Sequence, residues 1–220
     1  MGDLNEISQR ALDILRKCEN IICESTKETS TLLKAHQIGQ RKYHLLNEHS
    51  KPEDLSPLVD LCAANDVALV SDSGTPGFCD PGSALVAECR SKNISVKSVL
   101  GCSSLMGLLS LSSHRLGQFV FIGFLPAETE KRKAELKKLQ REPRTMVLMD
   151  TPYRQMKLLS EIADFFPLRS LLLTQNLSQP NEKTYEGPAR EVLRQIENET
   201  IPQLKAEFMI LLYPANDFKE

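Results

Sequence analysis

The chain has no tryptophan, and aromatic residues make up only 5% of its 220 positions. So few rings argue against a nucleic-acid groove paved with stacked side chains. Charge of either sign is not in excess: the formal net charge is −2. No global field therefore draws the chain to nucleic acid, and any RNA contact needs a local basic patch. No apolar run approaches the roughly 20 residues of a membrane span. The opening stretch Met1–Arg10 lacks an apolar signal core, so a cytoplasmic protein without membrane contact is expected.

Metal and nucleotide signatures are missing as well. The six cysteines (Cys18, Cys23, Cys62, Cys79, Cys89, Cys102) include no C-x-x-C pair and no zinc-like histidine pattern. They read as small buried hydrophobes in a reducing compartment, and no metal is expected. His36, His44, His49 and His114 fit no nucleophilic or metal-binding arrangement and read as satisfied structural or surface residues. There is no G-x-G-x-x-G, no Walker-type loop and no G-x-S-x-G elbow.

What is present is alternating helix and strand. Ile7, Ala11, Ile14, Leu15 and Cys18 recur at helical spacing, and Ile21–Cys23 reads as a short buried strand. Helices are expected over Thr26–Ala35, from Lys51 onward and over Ser83–Lys92. Val67–Ser71 is apolar without polar alternation, as in a strand covered on both faces. Val96–Leu100 is expected to be the next strand, followed by a helix to about Ser112. Repeated strand–loop–helix units imply an α/β domain with a largely parallel sheet. A boundary is placed near His114–Gln118, giving domains 1–116 and 117–220. The second half reads as strands at Phe119–Phe124, Thr145–Asp150, Ser170–Leu177, Lys183–Glu186 and Phe208–Tyr213. Helices are expected at Thr129–Arg141, Arg154–Phe166 and Ala189–Asn198. The last strand is wholly apolar and is expected to be central.

Ligands of open α/β sheets bind beyond the carboxyl ends of strands, so three loops are candidates. Ser71–Gly82 holds three glycines and two prolines in twelve residues, a shaped turn that either carries a ligand or only connects. Gly101–Ser104 precedes a helix, where free N–H groups hold a polar ligand or a serine merely caps. Met149–Arg154 leads from strand to helix, and Arg154 either holds an anion or lies on the surface. The basic residues between Lys131 and Arg144 alternate with Glu128, Glu130, Glu135 and Glu142. That pattern reads as a solvated helix with i,i+4 pairs, with RNA-backbone contact as the sharper alternative.

Several of these stretches together resemble one family. Val67–Pro76 followed by Asp80–Gly82 looks like a signature loop of the tetrapyrrole methylases. The likeness is greatest to the ribosomal small-subunit RNA methyltransferase I branch. Ile7–Leu12, Glu24–Thr29, Gly101–Ser104, Gly123–Pro126, Glu142–Thr145, Thr151–Arg154, Glu186–Gly187 and Lys205–Glu207 agree in order and spacing. The resemblance implies two α/β domains with S-adenosylmethionine in the cleft between them, usually in a homodimer. It implies that Ser73, Gly74, Thr75 and Phe78 line the cofactor from one side. Ser103 and Ser104 would meet it from the next loop, and Asp150, Thr151, Asn176 and Leu177 from the second domain.

Two departures accompany the resemblance. Members begin with a strand and a proline-containing loop, whereas Met1–Leu4 matches only the tail of that loop, so the first strand is expected to be missing. The Glu-Asp-Thr-Arg stretch of the RNA-acting branch reads Glu24-Ser25-Thr26-Lys27 here, and Arg to Lys is not neutral at a bidentate site.

Methyl transfer from a sulfonium is an in-line displacement that depends on alignment in a water-poor site. If the acceptor is a ribose 2′-hydroxyl of small-subunit ribosomal RNA, a base assists. Glu24, Asp72, Asp80 and Asp150 qualify by type and loop position, and none is assigned. A tetrapyrrole or other small metabolite is the alternative acceptor, and a non-catalytic cofactor- or RNA-binding paralogue the alternative class.

Overall fold

The computed structural model describes residues 3–200 and 205–215, which fall into two compact units: Asp3–Ser103, and Ser104 onward.

In the first unit α1 (Gln9–Lys17) begins at Ser8, whose hydroxyl accepts from the Ala11 N–H at 3.2 Å. It leads to β1 (Asn20–Cys23), α2 (Thr26–Ala35), β2 (Lys42–Leu45), α3 (Pro52–Ala64), β3 (Val67–Leu69) and α4 (Ser83–Ser91). The three strands form a parallel sheet in the order β2-β1-β3. β1 is central and fully buried, and its alternation feeds two cores. Ile21 and Cys23 pack with Leu12, Leu15 and Leu33 of α1 and α2. Ile22 points the other way, to Leu58, Val59, Leu85 and Cys89 of α3 and α4. Helices on both faces are the covering that a parallel sheet requires.

Two expectations differ here. β2 carries no clear apolar pattern because it is an edge strand of mixed exposure, and the sequence did not reveal it. The segment 96–100, expected as a strand, forms none: Val96 is 41% and Leu100 81% exposed. Apolar content is not sufficient, since a strand also needs an edge to exchange hydrogen bonds with. β3 bonds to β1 on one side, and among the described residues no strand pairs with its other edge. Nor does a strand precede α1 among the described residues; Met1 and Gly2 lie outside them.

The second unit runs through α5 (Ser104–Ser110), β4 (Phe119–Phe124), α6 (Thr129–Leu139), β5 (Thr145–Asp150), a single 3-10 turn (Pro152–Arg154) and α7 (Gln155–Phe165). It continues with β6 (Ser170–Gln175), β7 (Lys183–Pro188), α8 (Ala189–Glu197) and β8 (Phe208–Leu212). The sheet order is β4-β5-β8-β6-β7. Only β4 and β5 are parallel; the other three pairings are antiparallel. β8 is central, as its unbroken apolar run implied, and every residue in it is buried. Phe208, Ile210 and Leu212 face α6, α7 and α8 through Leu136, Leu158, Ile162 and Val192. Met209, Leu211 and Tyr213 face Leu108 of α5.

The charged stretch on α6 is self-paired, but at i,i+3 rather than i,i+4. Lys131–Glu128 (2.7 Å), Lys133–Glu130 (3.9 Å) and Lys138–Glu135 (2.8 Å) span its length. Arg132 is not solvated at all: it is buried against Glu161. The cysteines divide similarly. Cys18, Cys23 and Cys89 are buried and Cys62 is half-buried, while Cys79 and Cys102 are exposed loop residues rather than core.

Candidate functional site

Strand register assembles the candidate residues of the second unit. Asp150 at the end of β5 is opposite Phe208 of β8, and Phe208 is opposite Gln175 at the end of β6. Asn176 then donates its backbone N–H to the Glu207 carbonyl at 2.8 Å. Asp150, Thr151, Asn176 and Leu177 therefore share one edge of the sheet, at the carboxyl ends of β5 and β6. α5 reaches the same place: a Cβ on Gly107 would lie 3.0 Å from Leu177 Cδ2, and Ser104 is one turn ahead on that helix.

The edge is polar and strained. Asp150 Oδ1 accepts from the Thr151 N–H at 2.6 Å and pairs with Arg154 Nη2 at 2.5 Å. Arg154, read from sequence as an anion holder or a surface cation, gives Nη2 to Asp150, while its Nη1 is buried without a hydrogen-bond partner. Asp150 Oδ2 and Thr174 Oγ1 are buried without a hydrogen-bond partner. Buried polar atoms left unpaired cost about 1–3 kcal/mol each, so a site that keeps them is suited to a ligand with hydroxyl or amino groups. Asn176 and Ser178 both adopt positive φ, 49° and 67°. Backbone strain of this kind concentrates at ligand clamps.

In the first unit Ser73, Gly74, Thr75 and Phe78 lie on one exposed loop following β3. The loop folds back on itself: the Phe78 N–H donates to the Thr75 carbonyl at 3.1 Å and the Gly77 N–H to the Pro81 carbonyl at 3.3 Å. Gly82 closes it at φ 137°, where a Cβ would lie 2.9 Å from Leu69 Cδ2 and 3.3 Å from the Gly77 nitrogen. No side chain fits that turn without strain. An acidic group borders the loop. The Asp72 N–H donates to Glu24 Oε2 at 3.0 Å. Burial, reinforced by the Glu24 carboxylate, raises the Asp80 carboxyl above its ordinary range. Ser103 ends this unit, exposed, and Ser104 opens the second. α5 is only seven residues long, so the free N–H groups read from the sequence at its start have little helix dipole behind them.

Three of the four histidines make contacts within the fold, and His49 lies exposed on the surface. His36 Nε2 is 2.7 Å from the Leu4 carbonyl, and His44 Nε2 is 3.0 Å from Asn20 Oδ1. The His114 ring packs 4.3 Å from that of Tyr213. Among the described residues no three His, Cys, Asp or Glu side chains gather as metal ligands, and no helix is long and apolar enough to cross a membrane.

One group escaped the sequence reading. Tyr213 donates to Glu186 Oε1 at 2.9 Å and sits 3.1 Å from Ser112 Oγ, while Ser113 donates to the same Glu186 oxygen at 2.5 Å. Burial first, and the Glu186 carboxylate after it, push the phenol up to about 12. Glu186 lay within the resembling stretch Glu186–Gly187, which was its only sequence signal.

Comparison with known proteins fits this architecture. The sequence model of the Tetrapyrrole (Corrin/Porphyrin) Methylases matches residues 1–193. A ribosomal RNA small subunit methyltransferase I of Synechocystis sp. is 34% identical over 96% of this chain and 75% of its own length. One from Mycoplasmopsis pulmonis is 35% identical over 97% of this chain and 94% of its own. Uroporphyrin-III C-methyl transferase from Thermus thermophilus, solved with S-adenyl homocysteine, shares the fold: its TM-score is 0.61 at 18% identity, covering 96% of this chain and 92% of that one. With its two sheets and a match across most of its length, the chain belongs to the tetrapyrrole methylase family and is an S-adenosylmethionine-dependent methyltransferase.

Proposed function

We propose that this methyltransferase acts on RNA, with a ribose 2′-hydroxyl of small-subunit ribosomal RNA as acceptor. The observation that carries the reading is the near full-length similarity, at 34–35% identity, to relatives named for that RNA. The proposal extends to a cytoplasmic homodimer.

S-adenosylmethionine supplies a methyl group on a positively charged sulfur. The residues that hold it are Ser73, Gly74, Thr75, Phe78 and Ser103 of the first unit and Ser104, Asp150, Thr151, Asn176 and Leu177 of the second. Their chemistry suits it. The glycine-rich loop brings backbone close to a ligand. The unpaired Asp150 Oδ2 accepts from a hydroxyl or ammonium group. Asn176, held at positive φ between β6 and the Glu207 carbonyl, fixes the rim.

The test is methyl transfer. Purified protein is incubated with methyl-labelled S-adenosylmethionine and small ribosomal subunits whose RNA lacks 2′-O-methyl groups. Label in a nuclease-resistant dinucleotide of small-subunit RNA is the expected result. Label confined to tetrapyrroles, or to base rather than ribose, overturns the assignment. Light scattering of the purified protein tests the dimer.

A further inference from the structure

Tyr153 is 81% exposed although it stands in the loop that ends β5, two residues after Thr151. The other three tyrosines are buried or half-buried. An aromatic ring left in water costs burial energy that a fold ordinarily recovers. Local contacts hold the loop. Pro152 opens a 3-10 turn, the Arg154 N–H donates to the Thr151 carbonyl at 3.0 Å, and Arg154 is tied to Asp150.

The ring has one neighbour of note. Lys205 Nζ lies 5.4 Å from its centroid, within cation–π range. Lys205 is itself exposed and stands two residues before Glu207, whose carbonyl holds Asn176. The pair therefore belongs to the same edge as Asp150, Thr151 and Asn176. A rigid ring with one face set against an ammonium group, beside a polar edge, has the chemistry of a nucleobase platform: the free face stacks on a base and the cation meets a phosphate.

We propose that Tyr153 and Lys205 form a substrate-recognition step that takes a single-stranded RNA segment, one base stacked on Tyr153 and the adjoining phosphate neutralised by Lys205. The proposal rests on RNA being the substrate. It needs a single ring, not a groove paved with stacked side chains. Charge complementarity favours RNA over an apolar partner, since Lys205 would be desolvated without compensation against an apolar surface.

The experiment measures binding of a fluorescent single-stranded oligoribonucleotide from small-subunit ribosomal RNA, with a duplex of equal length and a glutamate-rich peptide as comparison arms. Tyr153→Ala is expected to weaken single-strand binding about 5- to 150-fold. Tyr153→Phe, which keeps the ring, should bind like the parent. Lys205→Ala should lower the salt dependence, reducing the slope of log K against log salt by about 0.7. In methyl transfer, Tyr153→Ala should raise KM for RNA and leave kcat at saturating RNA largely unchanged. S-adenosylhomocysteine affinity should not move in any of the three, which separates this step from the cofactor site and from misfolding. Equal RNA affinity in parent and Tyr153→Ala, with methyl transfer intact, overturns the platform and leaves the RNA reading standing. Equal sensitivity of the peptide arm to Tyr153→Ala also overturns it. A parent protein that neither binds nor methylates RNA overturns both.

Discussion

Arg132 of α6 grips Glu161 of α7 through two parallel hydrogen bonds inside the second unit: Nε to Oε2 at 2.6 Å and Nη2 to Oε1 at 2.8 Å. Nη1 also donates to the Pro126 and Ala127 carbonyls at 3.1 and 2.7 Å, so the guanidinium fastens the β4–α6 connection to α7. The hydrogen bonds to Glu161 raise the Arg132 pKa further, so the group stays charged at every accessible pH. Removing one partner strands a buried charge. Arg132→Met or Glu161→Gln should each cost about 3–5 kcal/mol in urea unfolding. The double replacement Arg132→Met with Glu161→Leu should cost much less than the sum of its parts, because no charge is then left unpaired. Additive losses would show that the pair does not act as a unit.

That pair marks where reading the sequence stops. Arg132 lies in a run of charges whose other members are solvated, and nothing in its neighbours' identities separates it from Lys131 or Lys133. Burial there is decided by α7, about thirty positions away. Apolar runs are legible when the strand is central, as for Ile21–Cys23 of β1 and for β8, because both faces of such a strand are covered. The same logic fails at Val96–Leu100, since pairing depends on a neighbour as well as on composition. Nor does it reveal β2, an edge strand of mixed exposure that admits Lys42 and His44. The candidate site shows the same division. The sequence places Asp150 and Asn176 toward the ends of their strands. Their meeting at one edge requires β8 to insert antiparallel between β5 and β6, a long-range pairing that no local pattern encodes.

Gly82 closes the Ser73–Phe78 loop in a conformation that only glycine adopts without strain. Gly82→Ala should destabilise the protein by about 1–3 kcal/mol in urea unfolding. It should also weaken S-adenosylhomocysteine binding if that loop holds the cofactor. Parent-like stability would mean that the turn relaxes freely and that its shape is not enforced by glycine.

The ten proposed cofactor residues predict a graded response in calorimetric titration with S-adenosylhomocysteine. Ser73→Ala and Thr75→Ala each remove one hydroxyl, worth about 0.5–1.5 kcal/mol, or roughly 2- to 12-fold in affinity. Asp150→Asn should cost more, about 10-fold or greater, because hydrogen bonds to a charged group are stronger. It also frees Arg154 from its partner. Unchanged affinity in all three would remove these residues from the site.

Tyr213 provides a pH test. Its folded pKa, about 12, lies above the ordinary tyrosine value near 10, with burial the main cause. Below pH 10 the phenol is protonated in both folded and unfolded chains, and its contribution to stability is complete. Between about pH 10 and 12 the unfolded chain loses the proton while the folded one retains it, so stability falls as pH rises through that window. Tyr213→Phe should flatten this alkaline decline, measured as Tm against pH. At neutral pH it should cost about 1–3 kcal/mol, because the hydrogen bonds to Glu186 and Ser112 are lost. Tyr185, also raised by burial and by Glu199, is untouched by the substitution and should keep the residual alkaline slope. If the decline between pH 10 and 12 is as steep in Tyr213→Phe as in the parent, Tyr213 is not the group that titrates there, and Tyr185 becomes the first candidate to replace by phenylalanine.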